Sequence, residues 1–240
     1  RTPIGKAYRG AFNDSEAPLL SGHAVAEAVR RAGIDPARVE DVVMGCAAQQ
    51  GTQGYNIGRL TAAAAGLPES VAGMSLDRQC ASGLMAIATA AKQIIHDGME
   101  VAVGGGVESI SLTQNAHKND YRAVSQAVLA NSPHMYVPMI ETAELVAQRY
   151  GVSREAQDAY ALQSQQRTAA AYAAGRYDAE LAPLTTRMLV TDKATGTVSE
   201  REITLDRDEG PRADTAIEGL SALKPVWSGG DLVTQGQYVT

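Results

Sequence analysis

Hydrophobic positions recur along the chain with two different periods, and the changes of period mark off the elements. Leu19 to Ala32 sets Leu20, Ala24, Ala28 and Val29 on one helical face, and Gly33 follows as a stop. Val39 to Met44, ending in Gly45, reads as a short strand. Gln49 to Asn56, rich in Gly and Gln, reads as a loop. Arg59 to Ala65 is an Ala-rich helix closed by Gly66, and Met74 to Leu76 a short strand. Ala81 to Asp97 has a strong helical pattern, with Leu84, Ala88, Ala91 and Ile95 in one stripe and Gly98 as its stop. Val101 to Val103 is a buried-strand pattern, and Gly104, Gly105 and Gly106 follow it. Strands alternating with helices predict βαβ units and a mostly parallel sheet, an α/β fold.

The pattern changes near Ser109. Ser109 to Pro138 has no sustained period and contains Pro133 and Pro138, so it reads as an irregular excursion. Two helices follow, Glu141 to Tyr150 and Arg154 to Ala174, the second with Ser153 as N-cap and Gly175 beyond its end. Thr185 to Thr191 and Thr197 to Thr204 are β-like, and Asp192, Lys193 and Gly196 between them predict a hairpin. Asp206 to Asp214 is a charged loop, and Thr215 to Leu223 a short helix. These readings divide the chain into an α/β segment, 1–109, and a second segment, 110–240.

Composition narrows the class. Hydrophobic residues make up 45% of the 240 and charged residues 20%, enough apolar material for one large domain or two small ones. Aromatics are only 5%, so the core rests on Ala, Val, Leu, Ile and Met. A net charge of −6 argues against a general nucleic-acid or anionic-membrane binder, and no stretch approaches ~18 uninterrupted apolar residues. The two cysteines form no metal-binding CxxC pair and no disulfide framework, which points to the cytoplasm or another reducing compartment.

Cys80 is the best candidate for chemistry. It follows an apolar strand and immediately precedes a helix, beside unpaired backbone N–H groups and the positive end of the helix dipole, which favour thiolate over thiol. Ser82 and Gly83 keep the next turn slim. From position alone two roles stay open, a reactive thiol or a small buried hydrophobe. Cys46 also follows a strand, but Ala47 and Ala48 come next and no helix starts there, so it reads as packing. His23 and His96 lie in helices, His117 and His134 in the irregular excursion, and none has a carboxylate at a spacing that fixes a dyad. The triple Gly matches neither a dinucleotide fingerprint nor a P-loop, and reads as allowing close backbone packing near Cys80. Asn13-Asp14-Ser15 matches a glycosylation acceptor without secretory context. Lys193, Arg207 and Arg212 in the late loops could meet phosphates, although on sequence alone a solvated loop face is the favoured reading.

Several segments, taken in order, resemble one family. Asp77-Arg78-Gln79-Cys80-Ala81-Ser82-Gly83-Leu84-Met85-Ala86 is similar to the nucleophile motif of the thiolases. Arg1-Thr2-Pro3-Ile4-Gly5-Lys6, Gly54-Tyr55-Asn56-Ile57-Gly58-Arg59, Val103 to Ser111, Ser153 to Ala161, and Leu223-Lys224-Pro225 resemble further thiolase segments. The resemblance implies an α/β N-terminal domain carrying an inserted loop domain, in a partial chain. The family's first strand would precede Arg1, and its Gly-His-Pro segment and second catalytic Cys belong to a half outside this sequence. Neither Cys46 nor any His is therefore given those roles.

The resemblance also implies the chemistry: thiolytic cleavage of a 3-ketoacyl-CoA, or the reverse condensation, through an acyl thioester on Cys80. Coenzyme A is then a substrate, with no permanently bound cofactor and no metal. Arg212 matches the Arg that meets the CoA nucleotide, and Met139 the Met that lines the acyl site. CoA thioesters and further copies of the chain, as homodimer or homotetramer, are the implied partners. Two departures stand out. Asp77 replaces the usual Asn, Ser or Thr and brings a carboxylate close to Cys80, tolerable if it points away or pairs, as with Arg78. Pro138 replaces the His found beside the Met in acetoacetyl-CoA specialists. The competing readings are such a specialist, a ketoacyl-synthase-type condensing enzyme, a silent thiolase-like binding protein, an unrelated Cys hydrolase and a plain structural domain.

Overall fold

The computed structural model describes Arg1 to Thr240, and the chain divides into two compact units. The first comprises Arg1–Asn119 and Ala179–Gly210, the second Asp120–Asp178 and Pro211–Thr240. The hairpin therefore belongs with the α/β elements rather than with the helices that precede it in sequence.

The first unit is built on a three-stranded parallel sheet of β1 (Asp41–Gly45), β2 (Ala72–Leu76) and β3 (Ala102–Gly106), in the order β2-β1-β3. The central β1 is buried along its whole length, as expected of a strand covered on both faces. On one face Val42, Met44 and Cys46 join Val25 and Val29 of α1 (Ala17–Ala32) and Ile57 and Ala62 of α2 (Ile57–Ala64). On the other, Val43 packs with Ala86 and Ala90 of α3 (Ser82–Asp97). A 3-10 turn at Pro36–Arg38, capped by the Asp35 carboxylate, delays the start of β1 beyond the predicted Val39.

Two helical stripes differ from the sequence reading. In α1 the buried positions include Leu20, Val25 and Val29, whereas Ala28 is exposed. In α3 the buried positions are Ser82, Ala86 and Ala90, while Leu84 and Ile95 are 72% and 71% exposed. The cause lies in the sheet. β3 runs through the glycines that follow Val103, and a Cβ on Gly104 would come within 2.8 Å of the Ile87 Cα. Backbone contact this close admits only small side chains between helix and strand, so α3 turns Ala86 and Ala90 inward and Leu84, Ile87 and Ile95 outward.

A two-stranded antiparallel hairpin, β4 (Leu184–Thr191) and β5 (Val198–Leu205), completes the unit. Leu184 and Leu205 close a cluster with Ala11, Phe12 and Leu20. The Asn13 amide exchanges two hydrogen bonds with the Leu189 backbone, which gives Asn13 a structural role. Asp208 accepts from the Ile4 amide, and Glu209 from the amides of Lys6 and Ala11, fixing the N-terminal segment.

The excursion after Ser109 contains two short helices, α4 (Ile110–Thr113) and α5 (Gln126–Asn131). In the second unit follow α6 (Met139–Tyr150), α7 (Arg154–Ala173) and α8 (Ile217–Ser221). Arg154 pairs with the buried Asp158 and donates to the carbonyls of Leu220 and Leu223, holding α8 to α7. Glu141 and Glu144 of α6, both buried, organise the segment that ends the chain. The Glu141 carboxylate accepts from the amides of Leu232 and Val233, and Glu144 from those of Gln237, Tyr238 and Val239.

Burial pushes the Glu144 carboxyl up, but the three amides outweigh it and hold it below its ordinary range. A carboxyl depressed in the folded state contributes stability above its unfolded value, and that contribution is lost as the pH falls through the folded one. Glu144→Gln should therefore destabilise the protein by about 1–3 kcal/mol at neutral pH and by progressively less under acid. Denaturant titrations of both proteins from neutral to acid pH check this, and a difference that does not narrow under acid would contradict it.

Candidate active site

The three parallel strands deliver their C-terminal ends to one place. β1 runs into Cys46, β2 into Asp77–Cys80, and β3 into Val107–Ser109. The start of α3 lies directly over these ends. A Cβ on Gly45 would meet the Ser82 carbonyl at 2.2 Å, and one on Gly106 would meet the Gly83 Cα at 3.0 Å. Glycine at these positions is what lets the helix start so close to the strand ends.

Between β2 and α3 the chain makes a sharp elbow. Gln79 has a φ of +50°, a left-handed conformation that is strained for a residue with a Cβ. Both of its backbone polar groups are held. Its N–H donates to Asp77 Oδ1 at 2.6 Å, and its carbonyl accepts from the Ser82 hydroxyl at 2.6 Å. Ser82 Oγ also accepts the Arg78 N–H at 2.8 Å. Asp77 thus caps the turn through Gln79, the partner taken in place of Arg78. Cys80 follows, exposed, one residue before the N-cap Ala81. No side chain caps α3, as in α1, α4, α6 and α8, whereas Asn56, Ser125 and Ser153 cap α2, α5 and α7. A solvent-accessible thiol beside an uncapped helix N-terminus is a fitting place for a nucleophile.

Cys46 has the opposite surroundings. It is completely buried, and Gln53 donates to its sulfur at 3.1 Å. The Gln53 amide also donates to Glu108 at 2.9 Å, and Glu108 accepts from the Ala47 amide. Burial first, then the charge of Glu108, pushes the Cys46 thiol up to about 12. This polar cluster under the strand ends escaped the sequence reading. Its signals in the sequence are Gln53, in the Gly- and Gln-rich loop, and Glu108, in the segment Val103 to Ser111.

The segment Gly54 to Arg59 is structural. Asn56 caps α2 and donates to the Gly73 carbonyl at 2.7 Å, and Arg59 donates to the carbonyls of Val71 and Glu69. Together they tie α2 to β2. Met139 and Arg212 lie in the second unit. Met139 opens α6, with Pro138 as N-cap, and is 74% exposed. Arg212 is exposed, and its amide donates to Gln165 Oε1 of α7 at 2.9 Å. Arg207 and Lys193 are exposed near the hairpin, in the first unit. His96, His117 and His134 are exposed, and the half-buried His23 leaves its Nε2 without a hydrogen-bond partner.

Residues 1–239 match the family described as thiolase, N-terminal domain. The chain belongs to the thiolase family. The 3-ketoacyl-CoA thiolase of Bacillus subtilis (strain 168) is 37% identical over 237 residues, covering 98% of this chain and 60% of that protein. The peroxisomal 3-ketoacyl-CoA thiolase B of Mus musculus is 36% identical, covering 98% of this chain and 54% of its own length. The crystal structure of the Bacillus anthracis acetyl-CoA acetyltransferase matches with a TM-score of 0.78 and 34% identity, over 94% of this chain and 57% of that one. The chain therefore spans little more than half the length of these relatives. No helix in it is long and apolar enough to cross a membrane.

The two cysteines should differ sharply in reactivity. A thiol pushed to about 12 holds roughly one thiolate in 10⁵ at neutral pH. Iodoacetamide, followed by peptide mass spectrometry, should label Cys80 well before Cys46. Earlier labelling of Cys46 would overturn the contrast.

Proposed function

We propose that this protein is an acyltransferase that cleaves 3-ketoacyl-CoA with coenzyme A, or runs the reverse condensation, with Cys80 as acyl carrier. The observation that supports it most is Cys80 exposed on a fixed elbow at an uncapped helix N-terminus. The Cys80 thiolate attacks the 3-keto carbon, and the carbonyl electron pair moves to oxygen. Collapse of that tetrahedral adduct breaks the C2–C3 bond, and its electron pair leaves as the enolate of acetyl-CoA, which takes up a proton. The acyl group stays on Cys80 as a thioester until the thiolate of a second CoA attacks it, releasing acyl-CoA and regenerating the Cys80 thiolate. Two easier transfers replace one hard one, with ping-pong kinetics. Backbone N–H groups at the uncapped start of α3 suit the developing negative charge.

Incubation of the complete protein with acetyl-CoA should leave an acetyl thioester on Cys80, found by mass spectrometry of the trapped peptide. Cys80→Ser should lose turnover by several orders of magnitude, because an alkoxide is far scarcer than a thiolate near neutral pH. A thioester confined to Cys46 would refute the assignment.

The remaining roles follow from the family resemblance. Coenzyme A acts as substrate rather than resident cofactor, and the complete protein works as a homodimer or homotetramer in the cytoplasm, with no nucleic acid as partner. Arg212 holds the CoA nucleotide, where a guanidinium offers charge-assisted hydrogen bonds to phosphates. Met139 lines the acyl end, and Pro138 beside it has no side-chain donor, so this end is less polar than in an acetoacetyl-CoA specialist. Each buried methylene of a longer substrate then adds up to about 0.8 kcal/mol.

The two ends of the substrate should answer differently to mutation. Arg212→Ala should raise KM for all 3-ketoacyl-CoA lengths alike with little change in kcat, and Met139→Ala should lower kcat/KM most for the longer acyl chains. Assays with four- to ten-carbon substrates check both. A steep fall beyond four carbons in the unmodified protein would favour the specialist reading instead.

A further inference from the structure

The elbow before Cys80 carries a feature that the acyl-carrier role does not require. Gln79 holds a left-handed backbone without being glycine, and something must hold it there. Ser82 fixes its carbonyl, and Asp77 Oδ1 takes its N–H at 2.6 Å. Asp77 is exposed, so its bond contributes little to the core. Its effect is local, on the dihedral angles that aim the next residue, Cys80.

We infer that Asp77 is a positioning residue for Cys80, holding Gln79 in the left-handed turn so that the thiol stays at the open end of α3. The inference rests on Cys80 being the acyl carrier. Without the Asp77 bond the Gln79 backbone relaxes toward negative φ, the common region for such a residue. Cys80 then swings away from the helix N-terminus in part of the population, and the reactive fraction falls. Asparagine separates the acceptor from the charge. Asp77→Asn keeps an Oδ1 acceptor and removes the charge, whereas Asp77→Ala removes both.

The comparison that decides is therefore Asp77→Ala against Asp77→Asn in the complete protein. Both variants are neutral at this position, so any difference between them belongs to the turn. Expected is a kcat about tenfold lower in Asp77→Ala than in Asp77→Asn, with similar KM, and a parallel drop in the iodoacetamide rate of Cys80. In a Gln79→Gly background the left-handed turn carries little strain, so the gap between the two variants should shrink. Equal rates for the Ala and Asn variants, or an undiminished gap in the Gln79→Gly background, would overturn the inference. The alkylation rate needs no substrate. If acetyl-CoA leaves no thioester on Cys80, the acyl-carrier reading fails by itself, while alkylation still reports whether Asp77 aims the thiol.

Discussion

The close approach of one helix to one sheet governs the first unit. The start of α3 rests on the ends of β1 and β3 through Gly45, Gly83 and Gly106, and farther along Ile87 rests on Gly104. Interiors are packed too densely for even a methyl group to be added at such contacts without displacement. The contact sets the depth of α3 over the sheet. It dictates which helical residues face inward, and it places Cys80 above the strand ends. A larger residue at Gly45 would push directly on the Ser82 carbonyl and so disturb the elbow that Ser82 helps to close.

From that contact follows the contrast between the two cysteines. Both come just after a strand, and both strands end at the same edge of the sheet. Cys46 continues the line of β1 beneath the layer, where burial and the charge of Glu108 suppress its thiolate. Cys80 lies beyond a turn that lifts the chain out of the sheet, and it emerges in solvent at a helix end that no side chain caps. The chemical difference between two identical side chains is thus a matter of which side of the turn each occupies.

The second unit shows polar groups taking over the role of a core. Its most buried charged residues, Glu141, Glu144 and Asp158, each accept hydrogen bonds from within the unit. The two glutamates accept amides from a segment with little regular structure, where those amides would otherwise lack partners. A carboxylate with several N–H donors tolerates burial that an unpaired one could not.

The sequence by itself determined a good deal. Helix stops at Gly33 and Gly98 were legible because a left-handed residue ends a helix and glycine takes that conformation without strain. The parallel α/β alternation, the hairpin around Asp192 to Gly196, and the motif around Cys80 were equally local signals. Tertiary structure alone decided the rest. The spacing of Leu84 and Ile95 marks a helical stripe, but periodicity cannot say which face of a helix meets a sheet built partly of glycine. The cluster of buried Cys46 and Gln53 with Glu108 unites residues far apart in sequence, and so does the grip of Glu144 on Gln237 to Val239. Asp77 looked like an electrostatic liability beside Cys80, because sequence shows that a carboxylate is near but not which N–H it accepts. Local conformation is written in neighbouring residues. Burial, and with it the reactivity of a thiol, depends on what the rest of the chain brings alongside.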